Sequence, residues 1–345
     1  MDGISIIVCS YNGASRLPST LLHLANQVTS NLSWEIILVD NNSTDGTTVS
    51  ANSLWETSGL SNIPLITIME KRPGVSFARY TGINESIYDY IIFCDDDNWL
   101  DCNYIQKAYD IMSSDSELYI LGGLNKAVAD VPFPAWFKEV EHAYACGPQA
   151  ARDGDAERQF ITTAGMVIRK NTFSIFEQIG FESQFTSRKG TELSSGEDSE
   201  MCFVALMLGH KIAYTSQLQL QHYMETKRLN WNYFIALTIG HAKSGYKLQY
   251  YQFLLNKSHF NPNWFREFIR ITRPFLCKQG AITVWHYFKA KRKPANISAV
   301  YDMMEVQKWL THLAISGEYS HFIHSINKLY CSASQFKTNK EHISS

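Results

Sequence analysis

Three consecutive carboxylates, Asp95, Asp96 and Asp97, stand directly behind the apolar run Tyr90-Ile91-Ile92-Phe93. Adjacent anions repel, so a fold keeps them together only if positive charge compensates them. A strand that ends in acids delivers them to the carboxyl edge of a sheet, the usual ligand crevice of an α/β protein. There a divalent cation carrying a phosphorylated ligand is the natural counter-charge. The bland alternative, a solvated turn capping the helix at Tyr104, accounts for one aspartate well and for three poorly.

Three further segments share this design. Ser10-Tyr11-Asn12-Gly13 follows the apolar run 4–9, and Asp40-Asn41-Asn42-Ser43-Thr44-Asp45-Gly46-Thr47 follows 35–39. Pro73-Gly74-Val75 opens a helical stretch that carries Arg79. A strand-end carboxylate such as Asp40 can accept from a base N–H or a sugar hydroxyl, or it can serve as an Asx-turn residue. Arg79 offers a fork of donors that matches phosphate oxygens, or a surface ion pair. An EF-hand reading of residues 40–46 fails for want of the closing glutamate.

Downstream, Glu197 and Asp198 open a segment with Met201, Val204, Ala205 and Leu208 at i, i+3, i+4 and i+7, the period of a helix. Ser194-x-x-Glu197 reads as a capping box and Gly209 as the stop. Acids at a helix N-terminus are held in their charged form, which suits a general base that takes a proton from an attacking hydroxyl. His222 shares a strand face with Leu218 and Leu220, so it is either a core histidine or a ligand.

The elements that must position these groups are legible. Runs 4–9, 35–39, 65–69 and 90–94 predict strands; 17–27, the segment after Asp45, and 75–86 predict helices. Strand–helix alternation with fully apolar strands predicts an α/β fold with a mainly parallel sheet flanked by helices. Residues 119–121 and 165–168 predict further strands, separated by an irregular stretch around Pro132 to Phe137 that either covers a cleft with Trp136 or packs as ordinary surface. From Trp231 onward the chain predicts helices rich in aromatics and cations, including Trp264-Phe265-Arg266 and Trp285-His286-Tyr287-Phe288-Lys289, punctuated by Pro262, Pro274 and Pro294.

The 345 residues are 45% hydrophobic, enough for one large core plus an extension. No apolar run approaches a membrane span, and no basic leader with an apolar stretch marks a signal peptide. Seven scattered cysteines without a Cys-x-x-Cys pair predict a reducing, cytoplasmic setting and no structural zinc. Residues 1–224 hold 14 Lys and Arg against 27 Asp and Glu, and residues 225–345 hold 17 against 6, balances of −13 and +11. A basic, aromatic tail predicts an anionic partner, whether a membrane surface, phosphates or the acidic body; it also reads as a helical extension packing its aromatics inward. No nucleic-acid partner is expected.

Taken in order, the Ser-Tyr-Asn turn, the Val39-to-Thr47 turn, the Gly74…Ala78-Arg79 segment, the Asp95–Asp97 triplet and Gly196-Glu197-Asp198-Ser199-Glu200 resemble the family 2 glycosyltransferases, which have the GT-A fold. The resemblance covers about residues 1–230 and only loosely the rest. It implies a catalytic domain over 1–230, with a nucleotide-binding half (1–118) and an acceptor-binding half (119–230), followed by a helical extension (231–345). It implies that Ser10, Tyr11, Asn12, Asp40, Arg79, Asp95 and Asp96 contact a nucleotide-sugar donor, with a UDP-sugar expected. Asp97 and His222 would hold Mn²⁺ or Mg²⁺, Asp198 would be the catalytic base, and Glu197 and Trp136 would meet the acceptor. The implied reaction is inverting sugar transfer to a glycan or polyprenyl-linked acceptor in bacterial surface-polysaccharide assembly, at or near the inner face of the cell membrane. Two rivals stand beside it. A sugar-nucleotide nucleotidyltransferase would need a glycine-rich basic loop where Ser10-Tyr11-Asn12-Gly13-Ala14 stands, and a non-catalytic binding subunit would have no need of Asp198.

Overall fold

The computed structural model describes residues 1–57, 63–185, 195–256, 262–273, 284 and 296–344. They form two compact units. The first comprises Met1–Phe133, Glu139–Gln178 and Gly209–Thr226; the second comprises Pro134–Lys138, Ile179–Leu208 and Lys227–Ser345.

The first unit is built on a sheet whose first half is parallel. Strands β1 (Ile4–Ser10), β2 (Trp34–Asp40), β3 (Leu65–Met69) and β4 (Tyr90–Asp95) run in the order β3-β2-β1-β4. Helices α1 (Leu17–Ala25), α2 (Thr47–Thr57) and α3 (Val75–Glu85) make the crossovers. β1, β2 and β4 are buried almost throughout, as parallel strands covered on both faces must be. Ile4, Ile6 and Val8 share a cluster with Ile36, Leu38, Ile92 and, from α1, Leu17, Leu21 and Leu24. These α1 residues recur at i, i+4 and i+7, which is why the helix lies on that face. α3 lies close to β1: a Cβ on Gly82 would come within 2.5 Å of the Ile7 side chain.

The second half of the sheet is mixed. β5 (Asn98–Leu100), β6 (Leu118–Val128), β7 (Gly154–Asp155), β8 (Val167–Arg169) and β9 (Lys211–Tyr223) continue it in the order β4-β8-β6-β9-β5, with β7 also on β9. β8 is antiparallel to β4 and β6, while β6 and β9 are parallel. Helix α4 (Tyr104–Ser114) buries Tyr104, Ile105, Ala108 and Met112, and the short α5 (Phe137–Val140) and α6 (Asn171–Gln178) follow. The expected α/β fold with a mainly parallel sheet flanked by helices is therefore present. β1 to β4, α1 and α3 fall within two residues of their predicted ends, α2 forms after Asp45 as expected, and β5 is an addition to the predicted elements. Residues 119–121 prove to be part of the longer strand β6, because pairing with β9 extends the ladder past Gly122-Gly123 through a register shift.

The second unit is helical: α7 (Glu197–Met207), α8 (Trp231–Asn256), α9 (Trp264–Thr272), α10 (Ile297–Ala314) and α11 (Tyr319–Ser344). Of these, α8 to α11 are the predicted helical C-terminal region, whereas α7 lies in sequence within the expected 119–230 half. The capping box at α7 does not form as expected. Gly196 occupies the N-cap with φ 117° and offers no side chain, so Glu197 is the first helical residue rather than the fourth position of the box. Ser194 lies outside the described residues, as do Pro274, Pro294 and 285–289. Gly209, at φ 80°, ends the helix in the left-handed conformation that glycine adopts freely. Among the described residues no helix is long and apolar enough to cross a membrane.

Candidate active site

Parallel pairing sets Ser10 opposite Asp40 and Cys9 opposite Asp95, so the turns behind β1, β2 and β4 leave the sheet at one edge. The turns then bind one another. The Asn12 N–H donates to Ser43 Oγ (2.9 Å), and Asn12 Oδ1 accepts from the Thr44 N–H (2.8 Å). The Gly13 N–H reaches Thr47 Oγ1, and the Ala14 N–H reaches Asp45 Oδ2, both at 3.0 Å. Asn41 fastens the third segment, donating to Glu70 and Arg72 carbonyls while its Oδ1 accepts from the Gly74 N–H (2.8 Å). Asp40 is 4% exposed; Oδ1 accepts from the Ser43 N–H (2.8 Å) and Oδ2 from Thr48 Oγ1 (2.6 Å). It holds the turn, and each oxygen keeps a second lone pair. Tyr11 projects from this edge, 56% exposed.

Each aspartate of the triplet has its own cation. Asp95, the most open of the three, lies 3.4 Å from Arg79 Nη2, which also donates to Thr163 Oγ1 (3.0 Å). Asp96 is buried and gripped by Arg16, whose Nε and Nη2 donate to its two oxygens at 3.0 and 2.8 Å. Ser10 Oγ adds a third hydrogen bond at 2.6 Å, and Thr20 Oγ1 donates to the Asp96 carbonyl (2.9 Å). Burial raises the Asp96 pKa to about 6 against the pull of Arg16, with Asp97 pushing the same way. Gly13 permits this packing: a Cβ there would lie 2.1 Å from Ser10 Oγ and 2.3 Å from Asp96 Oδ2.

Asp97 faces His222, with Oδ1 3.4 Å from Nε2. The antiparallel β5–β9 pairing causes this, since Asn98 is the register partner of His222 and the Tyr223 N–H donates to the Asp97 carbonyl (2.8 Å). Asn98 Nδ2 also donates to Asp97 Oδ1 (3.1 Å). Burial pulls the His222 pKa down, but the adjacent carboxylate outweighs it and lifts the ring to about 10. The other ring nitrogen, Nδ1, lies 3.7 Å from Cys146 Sγ.

The structure therefore brings Ser10, Tyr11, Asn12, Asp40, Arg79, Asp95, Asp96, Asp97 and His222 to one edge of the first unit. Glu197, Asp198 and Trp136 belong to the second unit. At the start of α7, Asp198 Oδ1 accepts from the Ser199 N–H (2.8 Å), and both Glu197 and Asp198 are partly exposed. Trp136 packs in an aromatic group with Trp231 and Phe234, ring centroids 5.4 and 5.6 Å away. Two residues are given no role of their own by the sequence, although Glu200 closes the Gly196–Glu200 motif. Arg16 looks like any surface cation at a helix start, and Glu200 looks like any exposed helix acid. Yet Glu200 is fully buried. Its carboxyl accepts from Ser183 Oγ (2.5 Å), the Gln184 N–H (3.0 Å) and Tyr251 Oη (2.5 Å), and burial lifts its pKa to about 7.

The fold gathers these polar and charged side chains at one sheet edge, and comparison with known proteins gives the chain a family. The chain belongs to glycosyl transferase family 2, whose family model matches residues 5–178. It is 32% identical over 108 residues to glycosyltransferase GlyA of Streptococcus pneumoniae serotype 4, covering 31% of this chain and 15% of that protein. It is 27% identical over 139 residues to the cholesterol galactosyltransferase of Borreliella burgdorferi, covering 38% of this chain and 37% of that one. The matches thus span well under half the length of both relatives. Among solved structures, Staphylococcus aureus TarS 1-349 in complex with UDP-GlcNAc aligns with a TM-score of 0.51 at 12% identity, covering 99% of this chain and 92% of that one. GalNAc-T7 with UDP, GalNAc and Mn²⁺ aligns with a TM-score of 0.50 at 14% identity, covering 72% and 51%. At these identities the likeness is one of fold, the GT-A fold.

Proposed function

We propose that the protein transfers a sugar from a nucleotide donor, a UDP-sugar in the first instance, to a glycan or lipid-linked acceptor with inversion at the anomeric carbon. The observation that carries this reading is the edge at which the turns behind β1, β2 and β4 interlock, with Asp97 set against His222. The UDP-GlcNAc and UDP complexes of the two structural neighbours support the donor class. Surface-polysaccharide assembly at the inner face of the membrane is the setting proposed for it.

Two of the residues, Asp97 and His222, offer donors of the kind a divalent cation takes. A buried carboxylate and an imidazole nitrogen face each other at 3.4 Å, and the carboxylate holds the His222 pKa up at about 10 against the effect of burial. Among the described residues no group of three His, Cys, Asp or Glu could hold a metal ion. Asp97 and His222 would therefore hold Mn²⁺ or Mg²⁺ with diphosphate and water completing the shell, and the mixed oxygen–nitrogen pair suits Mn²⁺ better. A cation there would neutralise the diphosphate as it leaves.

The chain's own residues supply the remaining steps. Tyr11, Asn12 and Asp40 bind the base and ribose, with Ser10 and Asp96 forming the inner wall that fixes Arg16. Arg79 and Asp95 meet the ribose and pyrophosphate. Asp198, favoured as an anion by the start of α7, takes the proton from the acceptor hydroxyl as that oxygen attacks the anomeric carbon. Glu197 and Trp136 bind the acceptor. The catalytic domain spans 1–230, divided near 118, and the basic 231–345 extension provides peripheral membrane contact. A thermal-shift panel of nucleotide sugars with and without Mn²⁺ tests the reading: a UDP-sugar should stabilise the protein most in the presence of metal. If no nucleotide sugar shifts the transition under either condition, the reading falls.

A further inference from the structure

Helix α9 shows two very different faces. Its inner face is fastened: Trp264 stacks on Phe268 and on His312, centroids 5.3 and 5.5 Å apart, and Trp264 Nε1 donates to the His312 carbonyl (3.3 Å). Glu267 on that side is fully buried and clamped by Arg270 at 2.5 and 2.8 Å. Trp309 Nε1 donates to Thr272 Oγ1 (2.8 Å), and Asn263 caps the first turn by accepting from the Arg266 N–H (3.1 Å). The helix is thus held firmly within its unit. Its outer face is left open, with Phe265 60% and Ile269 50% exposed, one above the other at i, i+4. Arg266, Arg270 and Arg273 are exposed along one flank of this pair, and the helix's acid, Glu267, is turned inward.

We propose that this face of α9 docks the protein on an anionic lipid surface, with Phe265 and Ile269 entering the headgroup–acyl boundary and Arg266 and Arg273 meeting lipid phosphates. Two apolar side chains flanked by cations are the pattern of an interfacial helix. A stable protein interface needs about 800 Å² from each partner, far more than two side chains present, so a second copy of the chain is the weaker occupant. The +11 balance of residues 225–345 adds a long-range attraction of the same sign. The proposal deepens the membrane-contact part of the proposed function, but its geometry needs no donor or metal.

Flotation with vesicles of equal parts phosphatidylglycerol and phosphatidylcholine tests it, against vesicles of phosphatidylcholine alone. The full chain should float with the anionic vesicles, and raised salt should release it. Phe265→Ser with Ile269→Ser should weaken the partition at least tenfold, and Arg266→Glu with Arg273→Glu at least thirtyfold, since each cation near the surface is worth roughly fivefold. Both pairs are exposed, so the melting transition and any UDP-sugar shift should be unchanged, which keeps a failure here distinct from a failure of the donor reading. Failure of the unaltered chain to float overturns the proposal, as does flotation indifferent to both pairs. So does a change from dimer to monomer in light scattering on Phe265→Ser with Ile269→Ser, which would show that a second copy covers the face.

Discussion

The chain holds two tight groups of acids and compensates them by different physics. In the first unit, Asp95, Asp96 and Asp97 each face a cation: Arg79, Arg16 and His222. In the second, Glu200 shares the first turn of α7 with Glu197 and Asp198 and is satisfied by neutral donors, a serine hydroxyl, a backbone N–H and a tyrosine hydroxyl. Cations tolerate substitution by other cations, so under the proposed function the triplet is where a metal would enter. Neutral donors satisfy lone pairs without cancelling charge. The result is a buried acid whose proton is shed only near pH 7. The first arrangement suits a ligand site, the second a scaffold whose strength depends on pH.

The largest effect should come from the proposed base. Asp198→Asn should lower the transfer rate about 10³-fold while the donor-induced thermal shift persists, the signature of lost proton transfer rather than lost binding. Unchanged transfer would remove Asp198 from the mechanism and leave the second group of acids purely structural. Next, Arg16→Met should cost about 3–5 kcal/mol in urea unfolding, because it leaves Asp96 buried beside Asp97 without its cation. Adding Asp96→Asn should recover much of the loss. If the single variant is nearly neutral, cation pairing is not what holds the triplet.

The same contrast explains what could be read from sequence. The parallel strands announce themselves by uninterrupted apolar runs, and the acids by their place behind them, so the edge carrying Asp40 and Asp95 was legible. Arg16 was not, because its pairing with Asp96 spans 80 residues and depends on Gly13 leaving room. Glu200 was hidden by its helix. The i, i+3, i+4 pattern picks out Met201 and Val204, whereas α7 is buried nearly all round, including Phe203 and Glu200. Periodicity locates one buried face; it says nothing when a helix has two.

Glu200→Gln should separate the two groups by pH. The folded pKa of about 7 exceeds the ordinary 4.5, so the native state binds the proton more tightly than the unfolded chain. Stability from this residue is therefore complete below about pH 4.5 and is lost as pH rises through 7, amounting to about 3 kcal/mol across that window. Urea unfolding of the native protein and of Glu200→Gln at pH 5 and pH 8 should diverge by this difference, with the glutamine form the flatter of the two. Parallel curves would show that Glu200 stays ionised throughout.

The smallest test compares one hydroxyl from each group. Ser10→Ala removes a hydrogen bond to Asp96, but Arg16 still grips both carboxylate oxygens, so the cost should be about 1 kcal/mol. Tyr251→Phe removes one of the neutral donors to Glu200 and leaves the fully buried ring in place. At pH 8 Glu200 is ionised and those donors are its support, so the cost should reach about 1.5–3 kcal/mol. At pH 5 the carboxyl is neutral and the cost should fall toward that of Ser10→Ala. Equal costs at both pH values would mean that the charge on Glu200 is balanced by something other than the donors that touch it, and the distinction between the two groups would then be one of exposure rather than of compensation.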